Sequence, residues 1–212
     1  MYSYDNKIHV IENFISKETS QFLVENIKDR TVLSPDPTIS AGPMLSVGLE
    51  NISQSNKMPW HVENFKNKEI VIDVVTMILT SMSKTVCDFY NLDYVPTNFF
   101  YSKMTKGGKN ILHMDNFYNI SHDKIIPKPH NSEDRSGLLY LNDDYEGGLL
   151  RFPKQNLELK PKPGTFIFFM GDDSLPHEVT EVTSGERHNI ISFYWPRNKV
   201  GNRQDRYMPT EI

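Results

Sequence analysis

Only one cysteine, Cys87, occurs in 212 residues, so no disulfide can form within the chain and a reducing compartment suits it. Long blocks of one charge sign are also missing: 23 Lys and Arg stand against 27 Asp and Glu, for a net charge of -4. That balance argues against a surface built to grip phosphate backbones, and no nucleic-acid partner is expected. The opening MYSYDNKIHV lacks the basic start and apolar stretch of a signal peptide. No later run reads as long enough to cross a membrane, so a cytoplasmic setting without a membrane partner is expected. Internal repeats and low-complexity segments are lacking too. What is present suits a folded chain with one core: 38% hydrophobic and 24% charged residues, with 12 Phe and 10 Tyr. A single domain over residues 1–212 is expected, of unstated oligomeric state.

Helical and strand patterns segregate along the chain. Residues up to about 95 read as supporting elements: a short strand at KIHVIENFIS, then a helix in SKETSQFLVENIKD with Ser16 or Thr19 as its cap. Residues 31–60 carry Pro35, Pro37, Gly42, Pro43, Gly48 and Pro59, a turn-rich stretch with one short strand near MLSVGLE. From Lys66 to Tyr90 there is no Gly or Pro, and Ile70, Val74, Ile78, Met82 and Val86 recur every four residues. This predicts the longest helix, with its apolar stripe in the core. From about 96 to 198, short β-rich segments from TNFFYSKM to NIISFYW are separated by Gly, Pro, Asn and Asp, the spacing of an all-β sandwich or barrel. Helices early and strands late predict an α+β fold with helices covering one face of the sheet. Residues Asn116 to Ser136, with Pro127, Pro129 and several charges, exceed a hairpin turn and read as a loop or lid.

Within this β-rich half, ILHMDNF places His113 and Asp115 two residues apart. On a strand such residues share a face, so the imidazole and the carboxylate aim at one point. His177, after the apolar strand TFIFFMG, can return to the same end of a barrel. Two imidazoles and one carboxylate make the facial triad of non-haem Fe(II) oxygenases, which leaves coordination positions open. An H-x-D pair alone is a weak signal, since a strand histidine is more often structural. Arg187 follows ten residues after His177, and its planar fork suits a bidentate clamp on the far carboxylate of an acidic cosubstrate.

With those residues in view, roughly residues 100–196 resemble the Fe(II)- and 2-oxoglutarate-dependent dioxygenases, specifically the prolyl 4-hydroxylase-like branch. HMD matches the H-x-D, GLLYLNDDYEGGLLRFP a strand, turn and strand with YLN and GG elements, LKPKPGTFIFF the lead into the next strand, and HEVTEVTSGER the distal histidine with its basic partner. The resemblance implies a double-stranded β-helix, or jelly roll, over about 96–198 supported by N-terminal helices over about 1–95. It implies iron held by His113, Asp115 and His177, and 2-oxoglutarate held by Arg187 with Tyr140 on the same carboxylate. It further implies O2 as oxidant, ascorbate as reductant, release of succinate and CO2, and hydroxylation of a prolyl residue in a proline-containing peptide or protein. Arg187 stands where collagen-type enzymes place a lysine, so the closer likeness is to the oxygen-sensing and bacterial or viral types. Relatives also carry a tyrosine roughly where this chain has Lys103 and Met104, and Tyr101 aligns only with a shift. Arg151 and Phe193 are weaker candidates for lining the pocket, and the Asn116 to Ser136 segment is a candidate lid. Another amino-acid side chain or a small metabolite is the alternative substrate; a non-catalytic metal-binding β-barrel is the alternative of another class.

Overall fold

Ser16 starts the first helix as expected, its hydroxyl accepting from the Thr19 backbone N–H at 3.1 Å and so satisfying one of the amides a helix start leaves open. The computed structural model describes residues 1–28, 32–33, 40–41, 44–48, 67–121, 124–127 and 134–197. In chain order the N-terminal part forms β1 (Tyr2–Tyr4), β2 (Ile8–Ile11), α1 (Lys17–Ile27), β3 (Val32–Leu33), β4 (Ser40–Ala41), β5 (Met44–Gly48) and α2 (Lys68–Tyr90). From Tyr94 on, the described elements are strands apart from a 3-10 helix at Pro153–Gln155: β6 (Tyr94–Thr105), β7 (Lys109–His113), β8 (Phe117–Ser121), β9 (Lys124–Pro127), β10 (Arg135–Tyr140), β11 (Glu146–Gly147), β12 (Leu150–Phe152), β13 (Leu157–Leu159), β14 (Phe166–Met170), β15 (His177–Val179), β16 (Val182–Ser184) and β17 (Glu186–Pro196). All the segments expected as strands after Pro96 are strands.

A major sheet of eight strands runs β1-β2-β14-β10-β17-β6-β5-β3, and a minor sheet of five runs β13-β12-β15-β7-β4. Described strand pairs are antiparallel throughout, which lets each sheet present alternate side chains to its two faces. One face of the major sheet sends Phe99, Tyr101, Leu139, Phe166, Phe168, Ile190 and Tyr194 into a core with α1 and α2. The other face sends Met104, Leu138, Tyr140, Ile167, Phe169 and Ile191 against Leu150, Phe152 and Val179 of the minor sheet. The result is α+β, with helices on one side of an antiparallel sheet, as the segregated pattern predicts. Strands β1 to β5 lie before residue 96 yet extend both sheets, so the supporting segment and the β-rich half share one framework.

Three expectations are corrected. The buried face of α2 consists of Val71, Val75, Ile78, Leu79, Met82 and Val86, while Ile70 is 56% exposed. A strict four-residue stripe drifts around a helix of 3.6 residues per turn, so its first member rotates out of the core. The same helix is long and apolar enough over Glu69–Tyr90, with a mean hydropathy of 1.6, to cross a membrane by length and composition, contrary to the expectation that no run is. Here its inner face packs in the core beneath the major sheet. Finally, the segment expected as a loop or lid, too long for a hairpin, contains β8 paired antiparallel with β9, Phe117 opposite Pro127. His61, His122 and His130 lie outside the described residues.

Candidate metal and anion site

His113 ends β7 and His177 begins β15, and the two stand directly opposite in the pairing of those strands. Their rings lie 4.4 Å apart between centroids. Each imidazole is tethered alike: His113 Nδ1 is 2.7 Å from the Ile111 carbonyl oxygen and His177 Nδ1 is 3.0 Å from that of Leu175. A carbonyl only accepts, so Nδ1 carries the proton and each Nε2 offers its lone pair to the space between the sheets. Asp115 sits just past the end of β7 rather than on the strand, its Oδ1 3.5 Å from His113 Nε2 and its Oδ2 3.6 Å from His177 Nε2. The Ser136 hydroxyl donates to Asp115 Oδ2, and the Asn116 amide to the Gly171 carbonyl at 2.9 Å holds the turn. One ligand atom from each of the three residues lies within 4.8 Å of the others, and all three residues are buried.

The electrostatics favour a metal-ready state. Burial works against the Asp115 charge, but His177, His113 and the Ser136 hydroxyl hold its carboxyl well below the usual range. Burial pushes the His177 imidazole down to about 4, against the pull of Asp115. At neutral pH the cluster therefore offers a carboxylate and a neutral imidazole from His177, the protonation a divalent first-row ion requires. Phe152 and Phe169 pack on His177, with ring centroids 5.7 and 4.9 Å away, and restrain its orientation.

Arg187 lies on the interior face of β17 and is 2% exposed. Its Nη2 donates to the Tyr140 hydroxyl at 2.8 Å and its Nη1 to Asn189 Oδ1 at 3.0 Å, while Nε has no partner. Among the described residues no carboxylate pairs with this buried guanidinium. Burial opposes its charge, yet the hydroxyls of Tyr140 and Tyr145 beside it keep its pKa above the ordinary value. A buried cation without a counter-charge suits an anionic ligand. The donor set thus fits a divalent metal at the triad and a carboxylate at Arg187. Gly148 makes room for the latter: with φ at +59° it has a conformation L side chains rarely adopt, and an added Cβ would stand 3.1 Å from Arg187 Cδ.

The remaining candidates separate. Phe193 faces the same interior as Arg187, paired across the sheet with Ser136 and 5.9 Å from the Phe100 ring. Arg151 does not reach the interior. Leu150 and Phe152 on either side of it point inward, so alternation turns it outward, where it meets Glu178 at 2.9 Å and Glu158 at 3.7 Å. Tyr101 faces the helices and its hydroxyl is 2.8 Å from His188 Nδ1; Lys103 reaches Glu186 at 3.1 Å; Met104 stands opposite Arg187. None of these three brings a tyrosine hydroxyl to the interior. Ser136, Asn189 and Tyr145 were not singled out from the sequence. Asn189 had a signal, being in phase with Arg187 on one strand, whereas nothing local marked Ser136.

Comparison with known proteins agrees with this geometry. Residues 99–195 match the family described as the 2OG-Fe(II) oxygenase superfamily. Prolyl 3-hydroxylase 2 of Rattus norvegicus is 39% identical over 73 residues, 32% of this chain and 10% of that protein. Prolyl 3-hydroxylase 3 of Mus musculus is 39% identical over 66 residues, 29% of this chain and 9% of that one. The chain thus spans about one tenth of the curated relatives it matches. Among solved structures, a Trichoplax adhaerens prolyl hydroxylase in complex with a hypoxia inducible factor oxygen degradation domain peptide has a TM-score of 0.65 at 16% identity, covering 92% of this chain and 86% of that one. The viral collagen prolyl hydroxylase of Paramecium Bursaria Chlorella virus-1 has 0.59 at 17%, covering 89% and 95%. These two likenesses carry the fold, of double-stranded β-helix type. The buried two-histidine, one-carboxylate cluster lies within the segment, residues 99–195, that matches the 2OG-Fe(II) oxygenase superfamily, and the fold agrees with that match.

Proposed function

We propose that this chain, as one catalytic domain, is an Fe(II)- and 2-oxoglutarate-dependent hydroxylase acting on a prolyl residue of a peptide or protein. The observation that carries the reading is the pairing of a metal-ready triad with a buried Arg187 that no carboxylate among the described residues pairs, in one interior. A structural metal site needs no such cation, which disfavours a non-catalytic module. In this reading His113, Asp115 and His177 hold iron, and Arg187 with Tyr140 holds the distal carboxylate of 2-oxoglutarate. When bound, iron and 2-oxoglutarate supply O2 activation coupled to decarboxylation, giving succinate, CO2 and a hydroxylated substrate, with ascorbate as the reductant that maintains iron. The chain itself contributes orientation and dryness. The carbonyl tethers of Ile111 and Leu175 fix the imidazoles, Ser136 fixes the carboxylate, and the aromatic walls of Phe152 and Phe169 exclude water. Phe193, beside Ser136, lines the substrate side, and the β8–β9 hairpin region is the candidate cover. The prolyl substrate is supported by the names of the relatives above, and a cytoplasmic setting by the single cysteine.

The test is mass spectrometry of a panel of proline-containing peptides incubated with the iron-loaded protein, 2-oxoglutarate and ascorbate. Gain of one oxygen on proline, absent without 2-oxoglutarate, is the expected result, and fragmentation with synthetic standards tells the 3- from the 4-position. Oxygen gained only on another residue type, or only on free metabolites, would overturn the prolyl assignment.

A further inference from the structure

Arg135 and Ser136 open β10 side by side and, by strand alternation, point to opposite faces of the major sheet. Ser136 is buried and turns inward, where its hydroxyl donates to Asp115 Oδ2. Arg135 turns to the helix side. Its guanidinium lies 4.3 Å from the ring centre of Tyr90, the last residue of α2, and 5.6 Å from that of Tyr94, the first of β6. Its Nη1 donates to the Asp134 carbonyl at 2.7 Å and meets Asp134 Oδ2 at 3.1 Å. The Tyr94 hydroxyl donates to that same Oδ2 at 3.2 Å.

The Asp134 carbonyl held in this way also accepts the Gly171 N–H at 3.2 Å, and the Gly171 carbonyl accepts the Asn116 N–H at 2.9 Å. Asp115 is thus tied twice to residues 134–136, its side chain through Ser136 and its backbone through Asn116 and Gly171. Arg135 fastens those residues to the helix layer. Stability does not account for an arginine in this place. The side chains of Arg135 and Asp134 are only 11% and 19% exposed, so both charges give up much of their hydration. Arg135 Nε and the Tyr90 hydroxyl are buried with no partner among the described residues. An apolar side chain of similar length would pack on the two tyrosines without that desolvation cost. What it would not supply is the bond to the Asp134 carbonyl, and with it a fixed start for the strand that carries Ser136.

We propose that Arg135, held by Asp134 and the Tyr90 ring, is a positioning residue for the metal site: it sets the start of β10 so that Ser136 keeps the Asp115 carboxylate turned toward the two imidazoles. Its influence crosses the sheet, from the end of α2 on one face to the triad on the other. This rests on the reading of His113, Asp115 and His177 as iron ligands.

The experiment is anaerobic calorimetric titration of Fe(II) into the apo protein, comparing wild type with Arg135→Met, Arg135→Lys, Ser136→Ala and the double variant Arg135→Met with Ser136→Ala, together with apo thermal melts. Ser136→Ala is expected to weaken Fe(II) binding about tenfold, the lower end of what groups that orient metal ligands contribute. Arg135→Met keeps the packing on the tyrosines and is expected to weaken it about as much, with Tm at or above the wild-type value. Arg135→Lys keeps a charged donor without the planar fork and should fall between wild type and Arg135→Met. Because Arg135 acts through Ser136, the double variant should bind Fe(II) about as well as Ser136→Ala alone, whereas independent effects would multiply to about a hundredfold. Fe(II) affinity within about twofold of wild type in both Arg135 variants, whatever their Tm, overturns this inference alone, and so does a double variant whose losses multiply. Failure of the wild type to bind Fe(II) overturns the functional reading of the triad with it.

Discussion

At the scale of single residues, the site depends on which groups are left wanting a partner. His113 and His177 use Nδ1 on backbone carbonyls and keep Nε2 for a metal. Asp115 is held as a carboxylate by its neighbours, and Arg187 keeps a charge that no described acid balances. Asp115→Ala is therefore expected to abolish iron binding and turnover while the chain still folds, because the acid completes the triad and spans no core layer; retained iron affinity by calorimetry would remove it from the triad. Arg187→Ala is expected to raise the KM for 2-oxoglutarate about a hundredfold or more, the scale of a lost buried charge pair. An unchanged KM would remove the clamp. Much of this was legible. The two-residue period of a strand forecasts that His113 and Asp115 converge, and they do, even though the strand stops at His113. The same period should have turned Arg151 outward, since its neighbours Leu150 and Phe152 are apolar. Ser136 was not legible, because its partner lies 21 residues away and only the fold brings them together.

At the scale of elements, local chemistry set boundaries and burial set faces. The Ser16 cap at the start of α1 is readable from sequence, and Ser16→Ala is expected to cost about 1 kcal/mol, lowering Tm by about 2–4 °C for a chain of this size. A thermal melt unchanged to within a degree or so would mean that the cap carries no weight. The Gly147–Gly148 turn joins β11 to β12 and both residues have positive φ, 69° and 59°. Gly148→Ala strains that backbone and crowds Arg187 at once, so it is expected to lower Tm and raise the KM for 2-oxoglutarate together. A drop in Tm alone would separate the turn from the clamp. The existence of α2 followed from its freedom from Gly and Pro, but its buried face did not, since a spacing of four is only near the helical period. The β8–β9 hairpin escaped notice because Pro127 and a mixture of charges mask alternation in so short a ribbon.

At the scale of the whole molecule, two antiparallel sheets enclose the site and the two described α-helices back the larger sheet. Sequence predicted the α+β class because helical and strand patterns occupy different halves. It did not predict that β1 to β5 would extend both sheets, since pairing partners distant in sequence leave no local mark. The enclosure has a titration consequence. Burial pushes His188 and His177 down to about 4 and lowers His9 as well, from an ordinary value of 6.5. Between those limits the unfolded chain takes up protons that the folded chain refuses, so apo stability is full above about 6.5 and falls as pH drops toward about 4. The slope is at most about 1.4 kcal/mol per pH unit for each histidine. His188→Gln is expected to make that acid limb shallower in melts taken across the range, and an unchanged limb would mean that His188 titrates as freely folded as unfolded.

The measurement that reaches furthest is succinate formation from 2-oxoglutarate by anaerobically iron-loaded protein on admission of O2, with and without a proline-rich peptide. The expected result is turnover that the peptide stimulates, that a chelator stops, and that Asp115→Ala lacks. No succinate from protein shown to be folded and iron-bound would contradict the account of this interior as an oxygenase site.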